Sequence, residues 1–183
     1  MLPDLKAFTP YIKRVKIGDT EIELKDEIDK LSDEVDKAKE AASQKRETKD
    51  PEAINKASLE VESILENINK DPRATLLLLS SRIEKQLKLR LIEAKINIEK
   101  VYSLRELSRL ATNQGILPQE FSPALEDFIA VRNRVAHGEA FDVNDNVIYS
   151  LISIGARLLE IVSVPYVSNK EAAKNLKPRK RPT

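Results

Sequence analysis

Residues 71–94 read DPRATLLLLSSRIEKQLKLRLIEA. Asp71 followed by Pro72 is a helix start signal, because aspartate can accept from an unpaired first-turn N–H and proline fits where no donor is needed. The stretch opens apolar nearly all round and becomes one-sided at Ile83, Leu87 and Leu91, four residues apart. A helix apolar on all sides is expected at the centre of a bundle, and this one is assigned there.

The same period continues outward in both directions. Downstream, Ser103 and Glu106 form a capping box that opens LRELSRLATNQG, and Gly115 is placed to stop that helix. Ser122-Pro123 opens another, running through ALEDFIAVRNRVAH, with Gly138 at its end. Asp142 is placed to cap a last helix, VNDNVIYSLISIGARLLEIV, which stops before Pro165. Upstream, Asp50-Pro51 repeats the start signal ahead of a helix with Ile54, Ala57, Val61, Ile64, Leu65 and Ile68 on one face. Four to five helices over residues 50–165, joined mostly by short connections, predict an all-α antiparallel helical bundle.

The N-terminal third divides differently. Leu24, Ile28, Leu31, Val35, Ala38 and Ala42 alternate spacings of four and three, the seam of a coiled coil. A charged coiled-coil helix is therefore expected over 25–49, with either a second copy of the chain or the chain's own bundle as its partner. Ahead of it, YIKRVKIGDTEIEL alternates apolar and polar residues about Gly18-Asp19, which predicts a short β-hairpin within residues 1–24. Residues 166–183 have no apolar period and are read as a basic flexible tail.

Composition narrows the chemistry. The chain has 183 residues, 41% of them apolar and 33% charged, with four Gly and no Trp. Cores must be built from aliphatic side chains, which suits helix packing. There is no Cys, so disulfides, thiolate metal sites and a Cys nucleophile are excluded and a reducing, cytoplasmic setting is expected. One His excludes a His-rich metal cage within a single chain. No run approaches the roughly 18 apolar residues that span a bilayer. The net charge of +1 hides an asymmetry: residues 19–50 hold 12 acids against 7 bases, whereas the tail KEAAKNLKPRKRPT is basic. Lys177, Arg179, Lys180 and Arg181 in that tail are candidates for phosphate contact.

One short stretch carries chemistry, RNRVAH at residues 132–137. Its His is the only one in the chain and falls at the end of a helix. A His titrates near neutral pH and can move protons. Arg132 is a fixed cation whose fork matches phosphate oxygens. Asn133 and His137 are four apart and share a helical face, whereas Arg132 is five from His137 and points away from it. Together they suit cleavage of a phosphodiester by its neighbouring 2′-OH, with charge stabilised by Arg132. The competing reading makes His137 a cap for helix carbonyls and the rest a polar surface. Arg134 is a further candidate for RNA contact, or else a surface cation.

Arg-Asn, three residues, then His at a helix end resembles the R-x(4–6)-H signature of the HEPN superfamily. The surrounding FIAVRNRVAHGEAF and the earlier DPRATLLLLSSRIEKQLKLRL are similar to bacterial members over about residues 51–164. The resemblance implies a HEPN-like metal-independent endoribonuclease with no cofactor, formed where two protomers of a homodimer meet. Arg132 and His137 would be catalytic and Asn133 would match the polar residue that follows the motif Arg. It also implies RNA as substrate, a regulatory or antitoxin protein as partner, and a toxin–antitoxin or antiviral defence role. Glu139 stands where one toxin pattern has Tyr, two positions after the His.

Two other readings stay beside it. One is a non-catalytic regulatory or scaffold module binding RNA, a nucleotide or a protein; the other is a structural dimerisation protein. The opening MLPDLKAF, ahead of the hairpin and coiled coil, also resembles the juxtamembrane part of HEPN-like proteins with an upstream anchor, making this the cytosolic part of a membrane-anchored protein.

Overall fold

The computed structural model describes residues 9–44, 51–66, 68, 70–101, 103–136 and 144–164, with side chains of the first helix from Leu24 onward. Six helices are formed: α1 Thr9–Gln44, α2 Pro51–Leu65, α3 Pro72–Glu93, α4 Leu104–Asn113, α5 Phe121–Ala136 and α6 Asp145–Ser163. There is no strand among the described residues, and the protein is an all-α helical bundle.

Local signals set most of the boundaries. Asp71 caps α3, its Oδ1 accepting from Ala74 N at 2.9 Å. Ser103 and Glu106 form the reciprocal capping box on α4, at 3.1 and 3.0 Å. Gly115 follows α4 at φ 70°, where its missing Cβ removes the steric penalty. Asn144 caps α6, accepting from Asn146 N at 3.0 Å. Asn144 thus takes the capping role expected of Asp142, and α6 starts at Asp145; Asp142 itself, the expected cap Asp50 and the stop Gly138 lie outside the described residues.

The expected hairpin is not formed: residues 11–24 belong to α1, which runs without a break through Gly18-Asp19. A hairpin alone is marginal in water, whereas extending an existing helix adds one hydrogen bond per residue fixed. Gly18 costs that helix only about 1 kcal/mol.

The coiled-coil seam is used inside the chain. Leu24, Ile28, Leu31, Val35, Ala38 and Ala42 are all buried and belong to the same apolar core as the other helices. α1 lies along α5 and α6, so it is a structural member of the bundle rather than a separate segment at residues 25–49. Polar pairs flank the seam on both sides. Glu27 reaches Arg134 of α5, while Arg157 of α6 reaches Asp36 at 2.5 Å and Ser32 at 2.8 Å. Lys39 meets Glu160 of α6 at 3.0 Å.

The central helix is α6, not α3. α6 touches α1, α2, α3 and α5 and buries residues all round, among them Val147, Leu151, Ile154, Leu158 and Ile161. α3 instead leaves Leu77 and Ile92 about half exposed, at 48% and 57%. Its all-round apolar opening therefore reflects one solvent-facing stripe added to a buried one. α6 is also the one described helix long and apolar enough to cross a membrane by length and composition, and that apolarity is spent within the bundle. Its close approach to α3 and α5 depends on Gly155, where an added Cβ would meet Phe128 Cζ at 3.0 Å and Leu79 Cδ1 at 3.3 Å. The last carbonyls of α6 are held by Arg90: Nε donates to Val162 O at 3.0 Å and Nη2 to Ser163 O.

Candidate functional site

α5 carries the first five residues of RNRVAH at its C-terminal end and ends at Ala136. Its core-facing stripe includes Leu125, Phe128 and Val135, each fully buried. Arg132 lies four residues after Phe128 and three before Val135, so its side chain leaves the helix from that same buried stripe. It is half-buried, and its Nε is sealed from solvent with no acceptor. Burial pulls the guanidinium below the ordinary arginine range, and among the described residues no acidic group acts on it in the other direction. An arginine in this state is a partly desolvated cation without a counter-charge among the described residues, which is unfavourable unless something else supplies the anion.

The neighbouring arginines are in a different condition. Arg134 is bound through Nη1 to Glu27 Oε1 at 2.6 Å and Oε2 at 2.5 Å. Arg109 makes a two-pronged pair with Glu126, at 2.7 and 2.8 Å, which raises Arg109 and lowers Glu126 from their ordinary ranges. Arg157 also has a sealed, unpartnered Nε, but its terminal nitrogens are held by Asp36 and Ser32. Arg132 makes no hydrogen bond or ion pair among the described residues.

Asn133, also half-buried, lies one step round the helix from Arg132. Arg134 lies a further step on and faces α1. At 100° per residue, Arg132 and Arg134 leave α5 about 200° apart. They are not one cationic patch: Arg132 rises from the core side and Arg134 opens into a groove against α1. His137 and the tail residues Lys177, Arg179, Lys180 and Arg181 lie outside the described residues. No group of three or more His, Cys, Asp or Glu is placed to hold a metal ion among the described residues.

The groove between α1 and α5 has a volume of about 270 Å³ and is lined by Glu27, Lys30, Asp127 and Arg134 over a floor of Leu31 and Val131. Glu27 and Lys30 were not among the candidate residues read from sequence. A signal for Glu27 existed: Glu27 and Glu34 are one heptad apart and flank the same side of the seam, the position that contacts a neighbouring helix. The sequence left open which helix that would be.

Compared with protein-family models, curated proteins and solved structures, the chain matches none.

Proposed function

We propose that the end of α5 binds and cleaves RNA as a HEPN-like, metal-independent endoribonuclease acting as a homodimer. The observation that carries this reading is Arg132: a half-buried guanidinium with a sealed Nε and, among the described residues, no acceptor and no acid acting on it. Folded proteins pair such groups, and a phosphate oxygen is an acceptor of the right charge and geometry. The resemblance of RNRVAH to the HEPN signature supplies the reaction class.

In this reading the ribose 2′-OH attacks the adjacent phosphorus and the P–O5′ bond breaks. His137 makes one of the two proton transfers, off the 2′-OH or onto the departing O5′, and the second protomer's copy of it makes the other. Arg132 stabilises the charge on the non-bridging oxygens, and Asn133 orients the phosphate. The products are a 2′,3′-cyclic phosphate and a 5′-OH. The tail cations Lys177, Arg179, Lys180 and Arg181 add salt-dependent affinity without base preference. A toxin or antiviral role, cytoplasmic or at the cytosolic side of a membrane, and control by an antitoxin-like protein belong to the same reading.

The test is incubation of total RNA and one structured RNA with the protein in excess EDTA, beside His137→Ala and Arg132→Ala. Cleavage by the wild type alone, leaving 2′,3′-cyclic ends, supports the proposal. If all three proteins stay folded, bind RNA and fail to cut, the site is a non-catalytic RNA-binding module. If none binds RNA, the RNA reading fails altogether.

A further inference from the structure

We infer that the groove between α1 and α5 is a phosphate subsite for a bound RNA strand, and that Glu27 holds it closed as an internal competitor. This inference rests on the RNA reading above. Two cations on different helices line the groove, Lys30 from α1 and Arg134 from α5. Lys30 is exposed, and Arg134 is occupied by the Glu27 carboxylate.

The form of that occupation matters. Both Glu27 oxygens lie on the single nitrogen Nη1, so the carboxylate does not engage the guanidinium fork. A phosphate can take Nε and Nη2 as a two-pronged pair, the stronger geometry. Glu27 is also partly exposed, with 44% of its side chain in solvent, as is Arg134 with 32%. An exposed ion pair is worth only about 0.2–1 kcal/mol, so an incoming phosphate of higher charge displaces Glu27 at small cost. Once Glu27 swings out, Arg134 and Lys30 face the same space, and Asp127 remains as the acid that limits affinity. Val131 and Arg134 bring the groove to the same turn of α5 as Arg132 but on another face of the helix, so the groove is a contact separate from the Arg132 site.

The seam explains why this competitor is always present. Leu24, Ile28 and Leu31 bury α1 against the bundle, which fixes the Glu27 backbone beside Arg134 whether or not the pair itself is made. The carboxylate is therefore at high local concentration around Arg134 and acts as a threshold on RNA binding.

The experiment measures binding of a labelled 2′-O-methyl oligoribonucleotide, which lacks the attacking hydroxyl, to the full chain at low salt. The proteins are wild type, Glu27→Gln, Arg134→Ala, the double variant, and Glu40→Gln as a control that removes an exposed acid further along α1. Affinity is expected to rise about two- to fivefold in Glu27→Gln, the range set by exposed ion pairs. The rise should vanish in the Arg134→Ala background and be absent in Glu40→Gln. A rise that persists without Arg134, or that Glu40→Gln reproduces, overturns the competitor and leaves only general charge. Binding by every protein with no response to Glu27→Gln overturns the subsite while leaving the RNA reading intact. No binding by any protein overturns both.

Discussion

Glu34 of α1 and Asp127 of α5 bring two carboxyls side by side across the helix interface, with Glu34 Oε2 sealed from solvent and unpartnered. Burial is the largest cause raising the Glu34 carboxyl above its ordinary range, and the neighbouring Asp127 carboxyl adds to it. Lys30 and Lys37 oppose the shift. Because the folded state holds this proton more tightly than the unfolded chain, the contribution is fully present below the ordinary glutamate range. It is lost as pH rises through the raised value. Urea midpoints measured from the ordinary glutamate range upward should therefore include a component that falls with pH. Glu34→Gln keeps a proton on the side chain at every pH and should flatten that component. An unchanged pH profile in the variant would remove the pair from the account.

The buried seam of α1 makes a separate prediction about assembly. Leu31 is 2% exposed within one chain, so Leu31→Ala should cost about 2–5 kcal/mol of stability. The loss should appear at every protein concentration, because the packing is intramolecular. If the seam were a dimer contact, the effect would shrink as concentration rises. Chemical denaturation at two concentrations a hundredfold apart separates the cases. The proposed homodimer would then have to use another surface.

Much of this architecture could be read from local chemistry alone. Asp71, Ser103, Glu106 and Gly115 act within four residues of themselves, and each does what its position predicts. The alternating four and three spacing of α1 identified its buried face but left its partner open, because an apolar stripe carries no address. The assignment of α3 as the central helix failed for the same reason. Leu77 and Leu78 are as apolar as Leu76 and Leu79, yet they face solvent. The alternation in residues 11–24 predicted strands because period 2 and period 3.6 are hard to separate over a few residues. At the candidate site, the four-residue spacing puts Arg132 on one stripe with Phe128, but the sequence did not show how deeply that stripe buries the arginine. That depends on which face α5 turns to the core, and hence on the four helices packed against it.

Arg132 should show opposed effects on stability and function. A half-buried cation without a partner opposes folding, so Arg132→Met, similar in length and apolar, should be neutral or stabilising by up to about 1 kcal/mol. The same change removes the guanidinium from the proposed phosphate site and should abolish RNA cleavage. Arg132→Lys keeps the charge but loses the planar fork, and should retain weak activity at best. Thermal unfolding and the EDTA cleavage assay on the same preparations test both halves. A large loss of stability in Arg132→Met would mean the side chain packs as a structural element, and the anion-site argument would lose its basis.

Helices α3 and α4 end in the same motif with different residues at its turning point. After α4, Gly115 N donates to Thr112 O at 2.9 Å and Ile116 N to Ala111 O at 2.9 Å, with Gly115 at φ 70°. After α3, Lys95 N donates to Ile92 O at 2.8 Å and Ile96 N to Leu91 O at 2.9 Å, with Lys95 at φ 59°. A Cβ in the left-handed region costs about 1–2 kcal/mol, which glycine avoids. Part of that gain is returned through the larger freedom of glycine in the unfolded chain. Lys95→Gly should therefore stabilise the protein by about 0.5–1 kcal/mol, and Gly115→Ala should destabilise it by a similar or larger amount. Both changes are read from urea midpoints at constant slope. A loss on Lys95→Gly would show that the lysine stem contributes more at the end of α3 than its backbone strain costs.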